Sequence, residues 1–214
     1  MRFVARADIR GNQMDAELLD RSGNITYLQG DATQPGSSDG LRVLPHVCND
    51  IGGWGSGYVL ALSAKWSGPE RRYRQWATHC KGELPLGMIQ TVPIKNDDGS
   101  TMFVANMIGQ QGVVGPENPR PVDYEALFCC LSNLASWIGS YEDVQRSIHR
   151  PGFPEATTIH MPRIGCGLGG GSWEIVELLI KTCLSEYDVF VYDLPDPKKD
   201  QEIADLAQVI EDNA

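Results

Sequence analysis

Long apolar runs are missing from this chain. Nothing in its 214 residues approaches the roughly eighteen apolar positions of a membrane-crossing helix, and Met1 to Asp8 has no apolar core of the kind a signal peptide carries. Basic residues are scarce: 18 Lys and Arg stand against 28 Asp and Glu, for a formal net charge of -10 and a pI of about 4.8. That balance argues against a nucleic-acid polymer or an anionic membrane as partner. It leaves room for a small anion held by backbone N–H groups. Metal-ligand spacing is missing too. Cys48, Cys80, Cys129, Cys130, Cys166 and Cys183 include no C-x-x-C and no framework spacing, so zinc and thioredoxin chemistry are not expected. They read as reduced thiols of a cytoplasmic protein, and no metal or cofactor is expected. There is no internal repeat and no low-complexity tract. A hydrophobic content of 42% with 21% charged residues speaks for a real core and against disorder. The length suits one domain, with an appendage at most.

What is abundant is glycine, and it is concentrated. The chain is organised around Met161-Pro-Arg-Ile-Gly-Cys-Gly-Leu-Gly-Gly-Gly-Ser-Trp-Glu174. The β-branched run Thr157 to Met161 reads as a buried strand leading in. Ser172 reads as an N-cap, and Trp173 to Leu184 has helical period. Four of the five residues from Gly167 to Gly171 are glycine, more than a plain βα turn needs. A glycine loop between a strand and a helix N-terminus is a phosphate site by its free N–H groups. Gly165 to Gly170 also fits G-x-G-x-x-G. A dinucleotide fold is not expected, because only about twenty residues follow Asp193, too few for another βαβ unit. Cys166, inside the loop, reads as a small buried side chain rather than a nucleophile.

Along the rest of the chain, strands are expected at Ile25–Gln29, Leu41–Cys48, Met88–Val92, Thr101–Ala105 and Val189–Asp193. Pro45 suits an edge or a bulge. Helices are expected at Tyr58–Trp66, Pro69–Ala77, Val122–Ile138 and, at the end, Lys198–Asp212, with a hairpin turn at Asn96–Gly99 and a loop at Pro35–Gly40. Leu127, Cys130, Leu131, Leu134 and Ile138 mark the buried face of the third helix. Residues Gly139 to Pro154 read as surface loop or partial helix. Phe3-Val4 and Leu18-Leu19 read as a strand and a short helix. Alternating strands and helices imply a three-layer α/β/α domain. A second glycine-rich turn, Asn49-Asp-Ile-Gly-Gly-Trp-Gly-Ser-Gly57, also follows a strand. Ligands bind at strand carboxyl ends in such sheets, so two phosphate loops converging there suit a diphosphate.

With these residues the chain resembles a macrodomain, the ADP-ribose-binding fold. The resemblance runs from about Ile25 to Leu194. It rests on Ile25-Thr-Tyr-Leu-Gln-Gly-Asp31, His46-Val-Cys-Asn49, Gly53-Trp-Gly-Ser-Gly57, Met161-Pro-Arg-Ile-Gly-Cys-Gly-Leu168 with Trp173-Glu174, and Val191-Tyr-Asp-Leu194. It is similar to the fungal ADP-ribose 1''-phosphate phosphatase group and, around Pro162–Leu168, to the terminal ADP-ribose glycohydrolase group. The resemblance implies an α/β macrodomain with a mixed central sheet at residues 25–195, an N-terminal extension at 1–24 and a C-terminal helix at 196–214.

It also implies roles. Asp31 accepts from adenine, and the Ala32 N–H faces the ring. Gly53, Trp54, Gly55, Ser56 and Gly57 wrap the distal ribose and a phosphate. Gly165, Cys166, Gly167, Leu168, Gly169 and Gly170 cradle the diphosphate. Asn49 and Asn106 contact the distal ribose. His46 is the candidate acid or base, with Asp50 a second candidate; the bland readings are a backbone-bonded core histidine and an ordinary turn aspartate. Trp54 stacks on the ligand, or else is core. Gln110 falls where the glycohydrolases have a lysine, and Gly169 where they have an aspartate. The expected function is binding of ADP-ribose or a derivative, with hydrolysis of ADP-ribose 1''-phosphate. The alternatives are a glycohydrolase freeing ADP-ribose from a macromolecule, and a non-catalytic reader.

Overall fold

In the computed structural model, the structure describes residues 6–9, 12–36, 40–96, 99–148 and 156–196, with 201, 205–206 and 208–210 in the C-terminal segment. The elements run β1 (Arg6–Ile9), β2 (Asn12–Ser22), β3 (Ile25–Gln29), β4 (Leu41–Asn49), α1 (Tyr58–Lys65), α2 (Ser67–His79), β5 (Ile89–Lys95), β6 (Thr101–Gln110), α3 (Tyr124–Ser147), β7 (Thr157–Pro162), α4 (Trp173–Cys183) and β8 (Asp188–Asp193). They form one sheet in the order β1-β2-β3-β8-β7-β4-β6-β5. The five inner strands from β3 to β6 are parallel, and β1, β2 and β5 pair antiparallel at the two edges. The sheet is therefore mixed, as expected.

Strand periodicity divides the core between two helical layers. Leu41 and Val43 of β4, Ala105 and Met107 of β6, and Ile159 and Met161 of β7 face α3 and α4, where Leu127, Leu131, Leu134, Val176 and Ile180 are buried. The alternate residues Leu44, Cys48, Val104 and Ile108 face α1 and α2, against Leu62, Tyr73 and Ala77. His46 and Asn106 share that second face, opposite each other across β4 and β6. All five parallel strands end on the same side, so their following loops gather there.

Several expectations need correction. Leu18 and Leu19 lie in β2, not in a helix. Met14, Ala16 and Leu18 alternate with Asp15 and Glu17, a period of two, and the β2–β3 register shifts between Leu18 and Asp20. Pro45 sits in an inner strand. It is tolerated because the β4–β7 pairing stops at Val43, so no ladder bond is lost to β7. α3 continues through Gly139 to Ser147, because Tyr141 stacks on Trp137 at 5.4 Å and both rings meet Phe103. The described residues of the C-terminal segment are helical, with Leu206, Val209 and Ile210 exposed. Phe3, Val4, Asp97, Asp98, Ile203 and Ala207 lie outside the described residues, as do 37–39 of the Pro35–Gly40 loop. No helix among the described residues is long and apolar enough to cross a membrane.

Candidate ligand-binding cleft

A cleft of about 550 Å³ opens at the carboxyl ends of the parallel strands. Its walls are Gly30–Ala32 after β3, the end of β4 with Gly53–Val59, Gln110 at the end of β6 with Val113 and Val114 after it, Pro162 at the end of β7 with Arg163–Gly165 and Gly167–Gly169 after it, and Tyr192 of β8 with Leu194 just past it.

The first glycine loop is held from outside. Asn49 Oδ1 accepts from Gly53 N at 2.8 Å and Nδ2 donates to Gly53 O at 2.8 Å, so the amide imitates a strand partner. Trp54 donates its indole N–H to Ser63 Oγ, which donates to Glu70, while Arg74 donates to the Trp54 carbonyl and to Glu70. These ties leave the N–H groups of Trp54, Gly55, Ser56 and Gly57 without a protein acceptor among the described residues. Gly57, at φ 75°, caps α1, whose first turn carries no acidic side chain. The N-terminal end of α1 thus adds its positive dipole to the cleft.

The second loop is built differently. Gly170 and Gly171 spend their N–H groups on Gly167 O and Gly165 O, and Ser172 N donates to Tyr124 Oη at 2.8 Å. Glu174 occupies the first turn of α4. The N–H groups leading into α4 are thus taken up by protein acceptors, and the Glu174 carboxylate in its first turn disfavours an anion there. The open donors are Gly167, Leu168 and Gly169, which bond to no protein acceptor among the described residues. Arg163 is the sole cation among the described residues of the wall, and it is spent. It pairs with both Asp193 oxygens at 2.7 Å and lies over the rings of Tyr27 and Trp173.

No family model matches the chain. A Bacteroides thetaiotaomicron protein of unknown function is 43% identical, with TM-score 0.66, over 79% of this chain and 98% of that one. A macrodomain protein from Streptomyces coelicolor is 39% identical, with TM-score 0.60, over 79% of this chain and 98% of that one. The chain belongs to the macrodomain family. This macrodomain is also 26% identical, over 165 residues, to the Candida albicans protein named ADP-ribose 1''-phosphate phosphatase, covering 77% of this chain and 94% of that one. It is 26% identical to mouse Chromodomain-helicase-DNA-binding protein 1-like but spans only 20% of that protein.

Most of the expected site residues line the macrodomain cleft: Asp31, Ala32, His46, Asn49, Gly53 to Gly57, Gln110, Gly165 and Gly167 to Gly169. Four do not. Asn106 is fully buried, donating to Pro69 O and Gln90 Oε1, so it reaches no ligand in the cleft. Asp50 accepts from Gly112 N at 2.7 Å and ties down the loop after β6. Gly170 is turned away, its Cβ direction blocked by Pro119 O at 2.7 Å. Cys166 also lies off the wall; burial pushes its thiol up to about 11, which keeps it inert.

His46 reaches the wall in a poor state for acid–base work. Both Asn106 amide protons point elsewhere, so Asn106 Oδ1 accepts from His46 Nε2 at 2.7 Å, which fixes the tautomer. Burial lowers its pKa to about 4 despite the Asn106 and Val47 bonds that raise it. The imidazole is neutral at pH 7 and its one N–H is engaged. Asp31 remains an anion: burial works against it, but Thr33 N, Thr33 Oγ1, Gln34 Nε2 and the charge of Lys65 hold its pKa below the ordinary value.

Sequence reasoning gave no role to Tyr58, Arg163, Val113, Val114, Tyr192 or Leu194, all on the wall. Arg163 stood inside a quoted motif, but its partner Asp193 is set by the β7–β8 pairing.

Proposed function

We propose that this macrodomain binds ADP-ribose or a derivative of it and hydrolyses ADP-ribose 1''-phosphate to ADP-ribose and phosphate. One observation carries the ligand class: two rows of unpaired backbone N–H groups face a single cleft that offers no free cation among the described residues. Neither Gly55 nor Gly167 has a positive φ or any neighbour within 4 Å of an added Cβ. Folding alone does not require glycine there, whereas a close-approaching diphosphate does. At the other end of the cleft, the Asp31 carboxylate stands beside Ala32 and Tyr192 on the wall, which pack on the buried Leu28 and Phe190. That combination suits a flat base with an exocyclic amine.

The phosphatase reading draws on the likeness to the Candida albicans protein. In that reading the terminal phosphate sits against Trp54–Gly57 at the N-terminus of α1. The amide dipoles stabilise the negative charge that builds as water attacks phosphorus and the bond to the 1''-oxygen breaks, the water's proton passing to that leaving oxygen. His46 and Asp50 shape the site rather than move protons.

The glycohydrolase alternative by a lysine route meets an obstacle. A Cβ on Gly169 would lie 2.5 Å from Gly165 O, so no carboxylate fits there, and Gln110 Nε2 is bonded to Gly112 O. Lys65 donates to Thr33 O beside Asp31, at the opposite end.

Calorimetry with ADP-ribose, and phosphate release from its 1''-phosphate, test the proposal. Binding of micromolar order, about -8 kcal/mol, with turnover supports both halves. Binding without turnover leaves a reader, and no heat with ADP-ribose overturns the ligand assignment.

A further inference from the structure

Tyr58 opens α1 directly after the first glycine loop and lines the cleft. Its ring packs against the buried cluster of Leu28, Ala32, Phe190 and Tyr192, with its centroid 6.1 Å from that of His46. The hydroxyl is buried, and no protein donor or acceptor among the described residues pairs with it. Burial first, then the charge of Asp31 and the neighbouring Tyr192, hold the phenol protonated far above its ordinary range. Both of those neighbours are on the cleft wall.

Tyr192 shows the contrast. Its hydroxyl is 2.9 Å from His160 Nδ1, a bond that the fold itself supplies. A buried hydroxyl with no partner destabilises a fold, and phenylalanine would pack as well without that penalty. The Tyr58 oxygen therefore has no purpose in the ligand-free core.

We propose that the Tyr58 hydroxyl, shut off from solvent in the ligand-free cleft, is uncovered when the ligand enters, contacts its nucleoside half and helps select its base. This rests on the cleft holding an ADP-ribose-type ligand. Asp31 is an acceptor only, and Tyr58, always protonated, is a donor. Both on the cleft wall, and near enough for the Asp31 charge to act on Tyr58, they match an edge that places an amine next to a ring nitrogen. Adenine has such an edge, with its N6 amine beside N7, whereas guanine puts the O6 acceptor there. The Asp31 carboxylate repels that oxygen. Tyr58 is thus a specificity-determining residue for a 6-aminopurine.

The experiment compares wild type, Tyr58→Phe and Tyr192→Phe by calorimetry with ADP-ribose and with ADP, and by ligand-free Tm. Tyr58→Phe should weaken both ligands about tenfold, about 1.4 kcal/mol, with a ligand-free Tm equal to or above that of wild type. Tyr192→Phe should lower the ligand-free Tm, because it strips a bond from His160. Wild type that binds neither ligand overturns both this proposal and the cleft assignment. Wild-type binding with an unchanged Tyr58→Phe constant overturns this proposal alone. A loss seen with ADP-ribose but not ADP also overturns it, because the contact would then lie in the wrong half. So does a lost affinity that comes with a lowered ligand-free Tm, which would make the role structural.

Discussion

Leu168 Cδ1 stands 3.5 Å from the point that a Cβ on Gly57 would occupy. Gly57 ends the loop after β4, and Leu168 belongs to the loop after β7, so two loops anchored on neighbouring strands meet across the cleft. Each carries its open N–H groups beside this junction. The junction closes over the subsite assigned to the diphosphate, and it is made by a half-exposed leucine that the core does not use.

Leu168→Ala separates ligand affinity from stability. The side chain contributes apolar cover to the cleft rather than to either buried layer, so folding stability should change by no more than about 0.5 kcal/mol. Losing the cover should raise the ADP-ribose Kd about three- to tenfold, consistent with partial loss of an apolar side chain worth about 1.5–3 kcal/mol when fully buried. Faster dissociation should account for most of it. An unchanged off-rate in stopped-flow displacement would show that the junction does not hold the ligand in.

The two buried histidines set the acid limb of stability. Burial depresses His46 to about 4, and burial with the charge of Arg42 depresses His160 to about 3. Both shifts are downward, so the unfolded chain takes up protons near pH 6.5 that the folded chain refuses. Stability should be complete above about pH 6.5 and fall steadily as pH drops toward 4. The drop from 6.5 to about 4 at His46 corresponds to roughly 3 kcal/mol. Denaturant titrations at pH 7.5, 6, 5 and 4.5 measure this slope. The same physics predicts that turnover of the 1''-phosphate shows no ionisation near 6.5 from His46. A pH–rate limb at 6.5 that disappears in His46→Gln would return the histidine to the chemistry.

How much of this was legible in the sequence depends on the range of the interaction. The glycine loops, Asp31 at the end of β3 and the alternation of layers are local, and composition and period reveal them. The partnership of His46 with Asn106 is not local. It requires β4 and β6 to be neighbours in register, and that register turns a candidate acid or base and a candidate ribose contact into partners of each other. The end of α4 looked like an anion site because Ser172 follows a glycine run. Tyr124, which closes it, comes from the start of α3, 48 residues away. The unpaired hydroxyl of Tyr58 carried no signal, because a tyrosine at the head of an apolar helix reads as packing. Pro45 misled for a related reason: its place depends on where β7 diverges from β4.

The glycine loop after β7 offers the sharpest test, because its glycines are there for different reasons. A methyl on Gly169 would lie 2.5 Å from Gly165 O and 3.0 Å from its carbonyl carbon, and backbone cannot move aside as a side chain can. Gly169→Ala should therefore distort the loop, lowering stability by about 1–3 kcal/mol, the scale of overpacking, and losing ligand with it. Gly167 has no atom within 4 Å of an added Cβ and no positive φ, and it lines the cleft. Gly167→Ala should leave the ligand-free protein as stable as before, or more stable by about 0.4–1 kcal/mol through a less flexible unfolded chain. Its methyl would still occupy the space by which a phosphate reaches the N–H groups of Gly167 and Leu168. ADP-ribose affinity should fall at least about tenfold, or 1.4 kcal/mol. Chemical denaturation and calorimetry on the two variants give four numbers. The expected pattern is stability lost only in Gly169→Ala, with affinity lost in both. A Gly167→Ala protein that is stable and binds normally would show that the diphosphate does not approach this loop, and the cradle would have to be sought along Trp54–Gly57 alone.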